Sequence, residues 1–208
     1  METLTTEYRH SLVRHADGTG WRNDGQSGFA WLFCTRILAI FLFKNTRSAS
    51  VPKSVFGSEK LPGFLIVDGY SGYNKVQVKI QYCYAHLLRD VEKLARDAPD
   101  EKEVAAFTGT LIPLLAQEMH LASQDSSNEE YYRQAGELKD KIMAVCRSPG
   151  NHLGIRATQD IFTVNENRLF HWVADRGVPA ENNYAERNLR PTVIARKVSF
   201  GSSSDAGA

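Results

Sequence analysis

The hydrophobic period of the sequence changes near residue 84, and this change limits the folds that the chain can adopt. Before residue 84, apolar residues come in short runs that are rich in aromatic and β-branched side chains, a pattern typical of strands. After it, they recur at the spacing of amphipathic helices. Strands followed by helices predict an α/β or α+β domain. At 208 residues the chain is long enough to bury roughly 70% of its unfolded surface.

Five segments before residue 84 are predicted to form strands. The segment 64–67 reads FLIV, a continuous apolar run that indicates a strand buried on both faces and ending at Asp68. The glycines of Gly18-Thr19-Gly20 predict a turn directly after the first strand. The second and third segments are separated only by Thr35-Arg36, which predicts a hairpin or a bulge. The five segments are 11–17, 29–34, 37–43, 64–67 and 76–80.

Helices are predicted from the apolar spacing and from helix-end signals. Ser126 followed by Glu129 resembles a capping box. Pro113 predicts a kink or break in its helix, and Pro191 predicts the end of the last one. The predicted helices cover residues 50–56, 84–97, 101–122, 126–146, 158–174 and 181–190. We therefore divide the chain into a first part of the core (1–100), a helical insertion (101–175) and a closing helix with its tail (176–208).

Three acidic residues are candidates for a catalytic site. Asp17 and Asp68 each end a predicted strand, and Glu186 lies on the last predicted helix. Carboxylates at the ends of adjacent strands converge on one crevice, and Mg²⁺ prefers such ligands. Two such ions ~3.5–4 Å apart can activate a hydroxyl and stabilise the leaving oxygen of a phosphodiester. Taken singly, an Asp before Gly is more often a turn former, and a Glu beside Arg is ordinarily solvated. Spacing alone leaves both interpretations open.

Four segments carry a more specific signal because they occur together and in a fixed order. They are HADGTGWRNDG, GFLIVDGYSGYN, YCYAHLLRDVEKL and ENNYAERNLRPTVIARKVSFGS. In this order they resemble the motifs of bacterial DDE transposases of the insertion sequence 66 family, over about residues 14–201. The resemblance implies an α/β, ribonuclease H-like mixed sheet flanked by helices, with a helical insertion before the last catalytic helix. It also implies metal-dependent cleavage of transposon ends and transfer of the freed 3′ hydroxyl to target DNA.

The resemblance assigns roles to individual residues. Asp17, Asp68 and Glu186 would be the catalytic residues and would bind two Mg²⁺ or Mn²⁺ ions. Glu181 stands where the family usually has the Asp of an Asp-Asn-Asn run, so it is a rival for the third acid, although Glu186 fits better because Arg follows it. Asn182 and Asn183 are interpreted as helix caps in preference to holders of metal-bound water.

The alternative hypotheses differ in whether this chain is catalytically active. Gly18 stands where the family usually has Glu, and only short segments flank the motifs, so we interpret the chain as a catalytic core truncated at both ends. The alternative is a degenerate, non-catalytic fragment that binds DNA or a partner chain. A helical protein-interaction module over residues 101–174 is a third hypothesis.

The charge and composition of the chain limit which binding partners are expected. Lys and Arg number 25 against 24 for Asp and Glu, which excludes a polybasic coat, so DNA contact must come from a local cluster. That cluster comprises Arg187, Arg190, Arg196 and Lys197, with His86 facing the predicted crevice. Cys83-x-x-His86 is only half a zinc site. The tryptophans are interpreted as packing residues and not as base-stacking platforms.

Cellular context is predicted from what the sequence lacks. The scattered three cysteines fit a reducing compartment, and no apolar run has the length of a spanning helix or the form of a signal peptide. We therefore expect a cytoplasmic protein without membrane contact. Because transposition generally pairs two ends, the resemblance also implies a homo-oligomer on DNA.

Overall fold

The computed structural model describes residues 2–202, and its strands form one five-stranded sheet in the order β3-β2-β1-β4-β5. The strands are β1 (Val13–Asn23), β2 (Gln26–Cys34), β3 (Ala39–Lys44), β4 (Phe64–Val67) and β5 (Lys79–Tyr82). Strand β1 pairs antiparallel with β2 and parallel with β4, and β2 pairs antiparallel with β3. The prediction of a mixed α/β fold with a sheet flanked by helices is confirmed.

The helices are α1 (Glu2–His10), α2 (Ser50–Phe56), α3 (Tyr84–Asp97), α4 (Lys102–Leu121), α5 (Asn128–Arg147), α6 (Leu153–Val164), α7 (His171–Ala174) and α8 (Asn183–Ser199). Helices α2 and α3 have the predicted bounds, whereas α1 is not predicted. The chain forms two compact units. The first unit contains residues up to 80 and from 182 onward, and the second contains residues 81–181. The boundaries drawn at residues 100 and 175 stay predictions.

The core of the first unit is built on both faces of β2. On one face, the Phe33 ring meets Tyr8 of α1 and Phe56 of α2 edge to face, with ring centroids 6.0 and 6.2 Å away. On the other face, Leu32 and Cys34 pack against Ala185 and Leu189 of α8. Because helices cover both faces, β2 is apolar at consecutive positions, and a period of two is absent.

Strand β1 is longer than predicted. It runs through Gly18-Thr19-Gly20, which pair with residues 29–31 of β2, so the turn predicted there is wrong. The chain reverses instead at Asp24 and Gly25, where φ is 48° and 73°. An Asp-Gly pair with two positive φ angles is the favoured two-residue hairpin connection. The predicted hairpin after β2 is confirmed by the Thr35 N–H, which donates to the Leu38 carbonyl at 2.9 Å.

Helix α8 does not end at Pro191 as predicted but continues to Ser199. A proline removes one helical hydrogen bond and clashes with the preceding turn. Packing on the far side of Pro191 offsets this loss, because Val193 contacts the Leu32–Cys34 cluster and Arg196 donates hydrogen bonds to β1. Helix α4 likewise continues through Pro113.

The second unit contains helices α3 to α7. Between residues 76 and 174 the structure differs from the prediction in three details. Its α5 helix is capped by Ser127, which accepts from the Glu130 N–H at 3.2 Å, one residue later than the predicted capping box. The predicted helix over 158–174 is interrupted, because the buried Leu169 carbonyl accepts from the side chains of Gln81 and Trp172 and not from the backbone of a continuous helix. The strand predicted over 76–80 lies at Lys79–Tyr82.

Within residues 2–202, no helix combines the length and the apolar character that crossing a bilayer requires.

Candidate metal and nucleic-acid site

Asp17 lies in β1, and Asp68 directly follows the neighbouring parallel strand β4. The β1–β4 register pairs Val13 with Phe64 and His15 with Ile66. Continuing this register by two residues places Asp17 level with Asp68, directly after β4 ends at Val67. The two acids therefore lie where β1 extends beyond the carboxyl end of β4, the edge at which sheets of this kind form ligand crevices.

Glu186 approaches the same place from α8. Asp17 pairs with Leu32 across β1 and β2, and residues paired in this way share one face of the sheet. Leu32 packs against Ala185 of α8, so Asp17 lies on the face that α8 covers, and Glu186 is the next residue after Ala185. Asp17, Asp68 and Glu186 therefore lie in one part of the first unit, near enough for the charges of Asp68 and Glu186 to act on Asp17.

The electrostatics of Asp17 reflect this crowding. Burial raises the pKa of the Asp17 carboxyl from 3.8 to about 7, and the negative charges of Asp68 and Glu186 act in the same direction. The Gly18 N–H, which donates to Asp17 Oδ1 at 2.7 Å, and the charge of Arg47 oppose the rise. Carboxylate oxygens are the ligands that hard divalent cations prefer, and of the nearby charges only that of Arg47 opposes the three acids.

Asp68 has a second, structural contact. Its Oδ1 accepts from the Tyr70 N–H at 3.1 Å, so the turn-forming interpretation of this residue is correct alongside its place in the acidic cluster. Tyr73 is buried nearby. Burial raises the pKa of its hydroxyl, and Asp68 and Asp17 raise it further, which keeps the hydroxyl neutral beside the acids.

Arg47 is a site residue that the sequence analysis misses. Its Nη2 lies 3.7 Å from Asp68 Oδ2, and its guanidinium carbon lies 4.4 Å from the centre of the Tyr70 ring. The Tyr70 hydroxyl donates to the Arg47 carbonyl. Arg47 comes from the polar loop between β3 and α2, which has neither periodicity nor a motif, so the sequence carries no signal for it.

A buried polar pair ties the start of α8 to β1. His15 Nδ1–H donates to Asn182 Oδ1 at 2.9 Å, and Asn182 Nδ2 donates to the Ala16 carbonyl at 2.9 Å. Burial lowers the pKa of His15. Asn182 is the N-cap residue of α8, as predicted, but its side chain forms no cap hydrogen bond. Its bonds instead hold α8 against the residue before Asp17, which fixes the position of Glu186.

The predicted basic cluster is divided. Arg187, Arg190 and Lys197 are exposed on α8, and Arg190 lies one turn after Glu186. Arg196 is partly buried and donates to Thr19 Oγ1 at 2.7 Å and to the Gly20 carbonyl at 2.9 Å, so it anchors α8 to β1.

Two further predicted site residues belong to the second unit. His86 lies in α3, after the buried Cys83. Glu181, the rival third acid, raises the pKa of the buried Glu118 within that unit, whereas Glu186 acts on Asp17.

Comparison with known families accounts for the whole chain. A family profile described as "Transposase IS66 family" matches residues 1–208, and the chain therefore belongs to this family of transposases. The resemblance inferred from the four motifs is confirmed. A search of curated proteins finds no match. Transposases as a class cut and join DNA, so DNA is the general partner, and transposases of the DDE type generally use divalent metals.

Proposed function

We propose that this chain is a DDE-type transposase catalytic core whose acids are Asp17, Asp68 and Glu186. The proposal rests on the observation that Asp17 in β1 is level with Asp68, which directly follows the parallel strand β4, while Glu186 lies on the helix that covers the same face. The parallel β1–β4 pair beside an antiparallel β1–β2 pair supports a ribonuclease H-like fold, with residues 101–175 as its helical insertion.

The residues present fit divalent cations. Three carboxylates supply hard oxygen ligands. Burial and, to a smaller extent, the charges of Asp68 and Glu186 raise the pKa of Asp17, and a bound cation would favour its ionised form. Mg²⁺ or Mn²⁺ bound by Asp17, Asp68 and Glu186, as one or two ions, would supply activation of the attacking water or hydroxyl and stabilisation of the leaving oxygen.

The chain's own residues would position the acids and the DNA. The Gly18 N–H holds Asp17, Arg47 and the Tyr70 N–H hold Asp68, and the His15–Asn182 pair holds the start of α8. The exposed side chains of Arg187, Arg190 and Lys197 would contact phosphates without reading bases.

Two reactions follow from this arrangement. In the first, water displaces the 3′ oxygen from phosphorus at a transposon end and leaves a free 3′ hydroxyl. In the second, that hydroxyl attacks a phosphodiester of target DNA, and one bridging P–O bond breaks as another forms. Pairing of two ends would bring two copies of the chain onto DNA, which the mass of the protein–DNA complex in solution would reveal.

Nicking of supercoiled plasmid in Mg²⁺ or Mn²⁺ tests the proposal. We expect the parent to nick and Asp68→Asn to lose the activity by roughly three orders of magnitude, because Asn keeps the size and the Tyr70 contact but loses the charge. Asp24→Asn is the matched control, since Asp24 is exposed at the hairpin tip, where Asn also adopts a positive φ. A folded parent that binds DNA but never nicks it would establish the degenerate, non-catalytic alternative.

A further inference from the structure

A cavity of about 580 Å³ opens between the β1–β2 hairpin and the C-terminal end of α8, within the first unit. Three of its lining residues are aromatic and three are cationic: Trp21, Phe29 and Phe200, and Arg22, Arg196 and Lys197. No acidic residue lines the cavity among the residues that the structure describes. Its volume lies within the range of roughly 300–1,000 Å³ that is typical of small-ligand pockets.

We infer that this cavity binds an unpaired nucleotide of the DNA strand, a contact that rests on the proposed function. Aromatic rings stack on bases of any sequence, and Arg and Lys side chains contact the adjoining phosphates. Aromatic rings interleaved with cations and free of carboxylates match single-stranded nucleic acid in charge as well as in shape. An apolar peptide segment would leave the three cations without complementary charge.

The cavity is held in shape by specific contacts. Trp21 Nε1–H donates to Ser202 Oγ at 3.1 Å, and the Ser202 N–H donates to the Arg22 carbonyl at 2.9 Å. The hydrogen bonds from Arg196 to Thr19 and Gly20 fix one wall. Trp21 therefore packs within the first unit and also borders the open cavity.

Phe200 is the most exposed aromatic residue of the lining. Its side chain is 79% exposed, and its backbone has φ 59°. A bulky residue rarely adopts a positive φ, because its Cβ then crowds the backbone. An aromatic ring kept in water on a strained backbone contributes little to the core of the unit. It is available to stack on a base.

The distance along β1 between the candidate catalytic acid Asp17 and the cavity residue Trp21 can be compared with the length of a DNA strand. Asp17 and Trp21 lie on the same strand and, four residues apart, on the same face. At ~3.4 Å per residue the separation along β1 is about 14 Å, which corresponds to roughly four nucleotide steps at ~3.4 Å each. A strand with one phosphate at the acids would thus reach the cavity a few nucleotides from the cut.

DNA binding by the full chain in EDTA tests the inference without any cleavage. We would measure fluorescence anisotropy with a labelled 15-nucleotide single strand and with the matching duplex, for the parent, Phe200→Ala and Lys197→Gln. Phe200→Ala should weaken single-strand binding about tenfold and duplex binding less than twofold. Lys197→Gln should lower the salt slope by ~0.7 on the single strand. Phe41→Ala, a half-exposed aromatic of β3 outside the lining, is the control and should bind as the parent does.

Each other result overturns the inference. The inference is wrong if Phe200→Ala keeps the single-strand affinity of the parent, if it loses as much affinity for the duplex, or if the parent binds no DNA. It is also wrong if Phe200→Ala changes only self-association, because the cavity would then bind a second copy of the chain. A parent that nicks plasmid while Phe200→Ala binds normally contradicts this inference and leaves the proposed function standing. If the parent never nicks plasmid but Phe200→Ala still weakens single-strand binding as expected, only the proposed function is contradicted.

Discussion

Each of the two units contains a buried carboxyl group whose pKa is raised, yet their surroundings differ. In the first unit Asp17 lies beside Asp68 and Glu186, remains partly exposed, and has Arg47 close enough to lower its pKa. In the second unit Glu118 is only 4% exposed. One of its carboxyl oxygens has no hydrogen-bonding partner among residues 2–202, and Glu181 is the acid that raises its pKa further.

Comparing Asp17 with Glu118 shows that burial raises the pKa of a carboxyl group whether or not the group belongs to the candidate site. Burial is the largest cause of the raised pKa in both cases, so a shifted pKa alone does not identify a catalytic group. The surroundings of Asp17 differ because the charges of two acids from other elements, Asp68 and Glu186, act on it and because it stays partly exposed. Glu118 is enclosed in a helical unit and faces Tyr84 and Tyr131, so no ligand could reach it without opening the packing.

The largest expected effect distinguishes the two candidates for the third acid. Glu186→Gln should lower plasmid nicking by at least about a hundredfold, because it removes a charge that acts on Asp17. Glu181→Gln should leave nicking within twofold, since the charge of Glu181 acts on Glu118. Nicking rates at saturating Mg²⁺, with circular dichroism to verify folding, provide the measurement. A greater loss in Glu181→Gln would reverse the assignment.

What the sequence reveals of this site depends on which physical signal each residue carries. Asp68 is predictable because a continuous apolar run places it at the end of a buried strand. The convergence of Asp17 with Asp68 comes from the pairing of β1 with β4, a contact between distant segments that no local period encodes. The motifs indicate it only through resemblance.

The sequence-based predictions that proved wrong were misled by local signals. The glycines at 18 and 20 imitate a turn, although cross-strand pairing with β2 keeps them extended, and the true turn signal is Asp24-Gly25. Pro191 imitates a helix end because the packing that carries α8 past it involves the sheet. Arg47 and the cavity beside Trp21 depend on side chains that meet only after folding, so neither has a sequence signature.

The next effect concerns Glu118 and the stability of the protein. Its folded pKa lies well above 4.5, so the unfolded chain loses this proton first as the pH rises. The contribution of Glu118 to stability is therefore fully present below about pH 4.5 and is lost progressively as the pH rises toward the folded pKa. Glu118→Gln should unfold at the same urea concentration as the parent near pH 4 and at a higher concentration than the parent at pH 8, because the amide has no proton to lose.

Plasmid nicking is the control for Glu118→Gln. Plasmid nicking should not change, because Glu118 belongs to the second unit and the proposed acids to the first. Urea titrations at several pH values measure the stability difference. If the parent and the variant lost stability in parallel between pH 4 and pH 8, Glu118 would not be the group responsible.

The smallest expected effect belongs to Arg47. Arg47→Gln should lower nicking about fivefold, because Asp68 loses a cation that helps to orient it, whereas a pair this exposed contributes only ~0–1 kcal/mol to stability. The urea midpoint should therefore stay close to that of the parent. Lys53→Gln, on the neighbouring helix α2, removes the same charge without touching Asp68 and should leave nicking unchanged. Equal losses in the two variants would mean that Arg47 acts through general attraction to DNA, and Asp68 would then owe its orientation to the Tyr70 N–H alone.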